Sequence, residues 1–387
     1  MTVDRWARIT SSDADREKIW RKPRSFAQDV WFRFMRKPTA LAGFIAVVLL
    51  IAFAVIGPAF TPYDYEKQTL SLANIPPIFD TTRAPDPGRF LYITGNMKVV
   101  EVDETGKLIS QLTKLEDDFV SMRLALAYGE GGTSRVYLDY GAQPPVLLDA
   151  GENLLQAGPR LWNNSYILGT DHLGRDILTR LMYGTRISLV VAFVAATVNL
   201  VIGALYGGLS GYLGGGVDSV MMRVVDIIST IPLTLYVILI KVTLSNGLGG
   251  IIIALSSVYW VDMARVVRGQ VLSLRQQEFV LAARTIGSGT RTILFRHLIP
   301  NAMGPILVTM MMLIPNAIFM EAFMSFIGIG IAPPMASLGT MCSDATEALR
   351  ANPYQLFLPA LVICLIMFAF NFVGDGLRDA LDPKLKK

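Results

Sequence analysis

Glu278-Phe-Val-Leu-Ala282-Ala283-Arg-Thr-Ile-Gly287-Ser-Gly-Thr-Arg-Thr-Ile-Leu-Phe-Arg296-His297-Leu-Ile-Pro300-Asn301 is a polar stretch set between two long apolar runs. Phe279, Ala282, Ala283 and Ile286 fall at i, i+3, i+4 and i+7, one face of a short helix on which two alanines let another backbone approach. Gly287 supplies a left-handed stop. Ser288 or Thr290 then caps a second helix carrying Ile293, Leu294 and Leu298. The spacing predicts a helix-Gly-helix elbow that projects from a membrane protein and docks a soluble partner.

The flanking sequence makes it a membrane protein. Only 17% of the 387 residues are charged and 52% are hydrophobic, against roughly 25% charged in soluble domains. Charge-free runs at Thr39–Phe60, Ile187–Val217, Val242–Val261, Leu298–Met320 and Ala351–Val373 each reach the ~20 residues a helix needs to cross a bilayer. With Val224–Ile240, which holds only Asp226, they predict six spans, near 39–60, 187–211, 222–243, 248–263, 303–323 and 356–375. Ten Lys and Arg precede the first span, and the elbow region and the tail hold most of the others near span ends. The positive-inside bias puts both termini and the elbow in the cytoplasm. The first run is too long and too far from the start for a cleavable signal peptide and is expected to remain as an anchor. Basic residues are thus explained by topology, and nothing points to nucleic acid.

Five regions follow. Residues 1–38 are a basic segment in which Phe26, Val30, Trp31 and Phe34 share one face, an interfacial helix for membrane lipid. Residues 39–60 are the first span. Residues 61–166 form a β-rich insert, with strands at 90–94, 98–102, 107–112, 135–140 and 146–149 and a turn at Asp103–Gly106. It reads either as a docking surface for an extracellular partner or as a cap on the first two spans. Residues 167–376 are a core of five spans with a cytoplasmic loop at 264–301, and 377–387 are a cytoplasmic tail.

Before the second span stands Gly169-Thr-Asp171-His-Leu-Gly174-Arg175-Asp176. Asp171 is expected to cap a helix with Leu173, Ile177, Leu178, Leu181 and Met182 on one face and Arg175, Asp176 and Arg180 opposite, an amphipathic outer elbow. Together with Asp218-x4-Arg223-x2-Asp226-x5-Pro232 and the string Glu321-Ala-Phe-Met-Ser325-Phe-Ile-Gly328-Ile-Gly330-Ile-Ala-Pro333-Pro334, this wording resembles the C-type permease subunit of dipeptide and oligopeptide ABC importers. The elbow resembles that family's cytoplasmic coupling loop, with Leu281 in place of its Glu and His297 in place of its Ile. With the last string continuing to Ser337-Leu-Gly339, the four strings cover 169–339 in the family's order. The insert is longer than the external loop usual there.

The resemblance implies an all-α polytopic fold of the type I importer class and a prokaryotic inner-membrane location. It also implies a second permease, two cytoplasmic ATPase subunits that hold ATP and Mg2+, and an extracellular substrate-binding protein. Glu278, Phe279, Ala282, Ala283, Ile286, Gly287, His297 and Pro300 are the expected ATPase-coupling residues. Gly169, Asp171, Gly174, Arg175 and Asp176 form the outer elbow, and Glu321, Ser325, Gly328, Gly330, Pro333 and Pro334 a gate or pore. Peptides are the expected substrate; permeases for nickel and other small solutes are closely similar.

Single residues carry further expectations. Asp226 pairs with Arg223 within one helix, Lys241 snorkels outward, Glu321 serves a gate or packs helices, and Pro232 and Pro315 kink their spans. Gly203, Gly207, Gly208 and Gly211 serve helix contact, within the chain or with another subunit. Cys342 and Cys364 sit at different depths. The chain has no Gly-x4-Gly-Lys-Ser/Thr string, no Gly-x-Ser-x-Gly elbow, and only His172 and His297, on opposite membrane sides, so neither a catalytic subunit nor a zinc site is expected. An ion-coupled transporter would need membrane-centred ionisable groups and internal repeats. A ligand sensor would have little use for six spans.

Overall fold

The computed structural model describes residues 25–129, 134–244, 247–332 and 334–381. Pro333, the residues before 25 and those after 381 lie outside it, and with them one of the expected gate residues and most of both termini. Helix α1 (Phe26–Arg36) opens with a capping box, Ser25 Oγ accepting from Gln28 N and Gln28 Oε1 from Ser25 N. Its Phe34 is buried against Ala40 and Ala380, while Trp31 remains half exposed. The amphipathic segment therefore uses part of its apolar face to clamp the bundle. Pro38 opens α2 (Pro38–Val55) at a position where no N–H is needed.

Helix α3 (Ile177–Leu213) has 37 residues, about 55 Å of helix, far longer than the ~30 Å hydrocarbon core. Its partner is α6 (Leu248–Leu274). The pair touches backbone to backbone: a Cβ on Gly207 would lie 2.2 Å from the Ala264 carbonyl oxygen, and one on Gly203 2.5 Å from Met263 Cβ. Gly211 faces Arg268 in the same way, whereas Gly208 faces Leu294. All four glycines serve packing inside the chain. Helix α6 continues to Leu274, so Arg265 and Arg268, assigned to the loop, are helical.

The expected third span is not one helix. Helices α4 (Gly215–Thr230) and α5 (Leu233–Thr243) meet at an 87° bend. Pro232 lies at the break, where its missing N–H and ring forbid continuation. The expected kink is thus a fracture, and among the described residues there are five full-length apolar helices, or six spans if the bent pair counts as one. Asp226 also differs from expectation: it pairs across helices with Arg265 at 3.2 Å. Asp218 holds Arg268 through both carboxylate oxygens at 2.6 Å. Lys241 is buried and folded back, its Nζ donating to the Gly247 carbonyl at 3.1 Å. The short α7 (Glu278–Thr285) follows, then a 37-residue helix α8 (Thr290–Phe326), α9 (Leu338–Asp344) and α10 (Tyr354–Leu381). Pro315 lies inside α8.

The insert forms two antiparallel sheets of five and four strands, ordered β4-β3-β2-β1-β9 and β5-β6-β7-β8. The strands are β1 (Ile78–Arg83), β2 (Arg89–Ile93), β3 (Val99–Asp103), β4 (Leu108–Gln111), β5 (Thr113–Asp118), β6 (Arg123–Tyr128), β7 (Ser134–Asp139), β8 (Val146–Leu148) and β9 (Ala157–Trp162). Leu91 and Val99 of the first sheet pack on Leu126, Val136, Leu138 and Leu147 of the second. The turn after β3 is held by Asp103 Oδ1, which accepts from Thr105 N and Lys107 N. Four strands lie outside the sequence reading: β1, β5, β6 and β9. Exposure hides β5, and Gly158 and Pro159 disguise the edge strand β9.

Candidate functional site

One end of the bundle carries the helix-Gly-helix elbow. Gly287 has φ +86°, with nothing near enough to obstruct a side chain, so conformation alone calls for glycine. Ser288 N donates to the Ala283 carbonyl and Gly287 N to that of Arg284, closing α7 in a Schellman-type turn. The next helix is capped by Gly289 without any side-chain bond, so neither Ser288 nor Thr290 acts as expected. Ile293, Leu294 and Leu298 are buried. The helix widens to π geometry over Ile293–Leu298, which gives Pro300 room where an ordinary turn would clash with the carbonyl four residues back.

The expected docking face splits in two. Val280 and Ala283 point into the bundle, while Phe279, Ala282 and Ile286 point out, Ile286 being 84% exposed. Ala283 is therefore a packing residue, since a helix face only ~100° wide cannot serve both sides. Glu278 and Pro300 are exposed and His297 half-buried. Beside the elbow a cavity of about 540 Å³ is lined by Tyr212, Leu213, Arg275, Gln276, Leu281 and Arg284. The Arg284 guanidinium stands over the Tyr212 ring.

The opposite end holds the Gly169–Asp176 elbow. Gly169 and Gly174 have φ +78° and +73°. A Cβ on Gly174 would come within 2.0 Å of the Thr69 carbonyl oxygen, and one on Gly169 within 2.5 Å of that of Ile75. These approaches tie the elbow to the segment that leads into the insert, with Thr170 and Ile75 exchanging backbone and side-chain hydrogen bonds. Tyr354 and Gln355 of α10 brace the same junction.

The cap of α3 is Asp176, not Asp171: its Oδ2 accepts from Thr179 N at 2.8 Å. Asp171 instead organises the turn, its Oδ1 accepting from Leu173 N and Arg175 N. Its Oδ2 binds Arg175 Nε at 2.7 Å and Arg180 Nη1 at 2.5 Å. Both guanidiniums also reach Asp344 Oδ2, at 3.1 and 3.2 Å. Arg175, Asp176 and Arg180, expected on the polar face of an amphipathic elbow, are all buried; α9 ends in Asp344, which supplies the charge that burial of the two arginines demands. Burial pushes the Asp171 carboxyl up, but Arg180 and Arg175 outweigh it and hold the group below the usual carboxylate range. Asp176, without a cationic partner, is raised by burial.

A cavity of about 690 Å³ opens beside this cluster. Ser325, Gly328, Gly330 and Pro334 line it together with Arg175 and Arg180. Glu321 does not line it. It is fully buried and accepts from Ser188 Oγ at 2.7 Å and Ser325 Oγ at 2.9 Å, tying α8 to α3. Of the residues the sequence reading passed over, Asp344 and Ser188 matter most. No local pattern marks either, since their partners lie more than a hundred positions away.

An apolar bundle with an exposed polar elbow at one end and a charged vestibule at the other has the build of an integral membrane protein. Residues 25–77 match the family profile for the N-terminal transmembrane domain of oligopeptide transport permease C, and 200–387 match that for the binding-protein-dependent transport system inner membrane component. The oligopeptide transport system permease protein OppC of Bacillus subtilis is 39% identical over 96% of this chain and 94% of its own length. The dipeptide permease DppC of that organism is 35% identical over 99% and 94%, and OppC of Escherichia coli 45% identical over 60% and 76%. Of solved structures, an inward-facing methionine ABC transporter aligns with 52% of this chain and 96% of its own at 20% identity and a TM-score of 0.45. The chain belongs to the binding-protein-dependent transport-system inner-membrane permeases, in the branch of the peptide permease C subunits.

Proposed function

We propose that the chain is one of two permease subunits of an ATP-driven importer that carries peptides inward. The carrying observation is full-length similarity to permeases named for oligopeptide and dipeptide transport. Phe279, Ala282 and Ile286 present an outward apolar patch where a cytoplasmic ATPase would dock. A second permease completes the path, two ATPases hold ATP and Mg2+, and an external binding protein delivers the substrate to the end that bears the insert. Both termini are cytoplasmic, in line with the distribution of Lys and Arg. The chain itself performs no covalent chemistry. Uptake of a labelled peptide by proteoliposomes holding the whole assembly tests this reading. Uptake that needs both ATP and the binding protein supports it; ATP-independent uptake driven by an ion gradient overturns it.

A further inference from the structure

The vestibule beside the Gly169–Asp176 elbow has the make-up of a substrate subsite. Its size falls within the ~300–1,000 Å³ of ordinary ligand pockets. Arg175 and Arg180 line it, and they share two carboxylates that are held very differently. Asp171 is fixed by two backbone N–H groups and is almost fully buried. Among the described residues Asp344 is held through Arg175 and Arg180, at longer distances, and its side chain is 34% exposed. It is the exchangeable partner. Two polar atoms of residues lining the cavity, His172 Nδ1 and Arg180 Nε, are buried without a hydrogen-bond partner among the described residues. Buried polar groups are normally paired, and these two stand unpaired beside the cavity.

We propose that Arg175 and Arg180 receive the terminal carboxylate of the incoming peptide, which takes the place of Asp344. This rests on the peptide-import reading above. A planar guanidinium pair suits a carboxylate, and every unmodified linear peptide carries one at its C-terminus. Asp344 keeps the two charges compensated while the pocket is empty, which a buried cationic pair requires.

The test is uptake by the complete assembly of one tripeptide in two forms, with a free and with an amidated C-terminus, as loaded binding protein is varied. The binding protein is the same in all preparations, so its own preference cancels in the ratio of variant to parent. Asp344→Asn removes the competing carboxylate. It is expected to lower the half-saturating concentration for the free peptide about tenfold, the effect of one charge-assisted hydrogen bond, and to leave the amidated form unchanged. Asp344→Ser gives the same ratio should the Asn variant fail to assemble. Equal shifts for both forms would show a purely structural ion pair and overturn this inference while import stands. Absence of peptide uptake by the parent would overturn both.

Discussion

Ile286 offers the sharpest test of the elbow as a docking element. Its side chain is 84% exposed at the tip of α7, so its removal takes nothing from the core. Burying it under an ATPase would remove nearly all of that surface from water. Ile286→Ala deletes three carbons at about 0.8 kcal/mol each. Scaled by exposure, the expected loss is about 2 kcal/mol of docking energy, roughly a 30-fold weaker Kd. The assay is titration of the purified ATPase pair onto the detergent-solubilised permease pair, with peptide-stimulated ATP hydrolysis in parallel. The control is Val280→Ala on the inward face: Val280 is fully buried, so this variant should lower thermal stability and leave Kd near the parent value. Unchanged Kd and coupled hydrolysis in Ile286→Ala would refute the docking role of the outward face, whatever the family pattern.

A cysteine at the exposed Thr105 should react with an impermeant maleimide in intact cells; labelling only after lysis would invert the topology. Gly174→Ala adds left-handed strain of roughly 1–2 kcal/mol to a clash with the Thr69 carbonyl, and should lower the thermal midpoint more than Gly287→Ala, which meets no neighbour. Glu321→Leu takes away the acceptor of the Ser188 and Ser325 hydroxyls and should cost about 1–3 kcal/mol in thermal stability, whereas Glu321→Gln keeps an acceptor and costs less; full stability of both with lost uptake would favour gating over packing. Because the folded Asp171 carboxyl lies below its ordinary value, its contribution is complete above the unfolded value and lost only as the pH falls through the depressed one. Its effect on the thermal midpoint should therefore be flat above about pH 5, and Asp171→Asn should lower that midpoint throughout the flat range.

What could be read without coordinates was whatever depends on local order. Span positions other than the third follow from apolar runs, the Gly287 stop from backbone conformation, and the helix-contact role of the Gly203–Gly211 series from its three- and four-residue spacing. The misplaced details share one cause. Asp226, Ala283, Asp171 and Arg175 have roles set by which neighbour faces them, and sequence proximity suggests the wrong neighbour in each case. Arg223 is three residues from Asp226, yet Arg265 on another helix binds it. Arg175 and Arg180 look like the polar face of an amphipathic elbow until Asp344 of α9 meets them. The edge strands β5 and β9 fail for a related reason, since edges need neither alternation nor freedom from proline.

Helices α3 and α8 both run between the two ends of the molecule. Near the elbow, Leu294 of α8 packs on Gly208 of α3, where an added Cβ would stand 3.2 Å away. At the vestibule end, Glu321 of α8 accepts from Ser188 of α3. Those contacts are 20 positions apart on α3, about 30 Å along its axis, so the pair is pinned close to the elbow and again beside the cavity. A displacement applied to α7 and the start of α8 would reach α3 at both pins, with Pro305 and Pro315 lying on α8 between them. Ser325, one turn beyond Glu321 and hydrogen-bonded to it, lines the vestibule. The proposed route from ATPase to substrate thus runs along α8, with Glu321 as the bolt that makes α3 move with it.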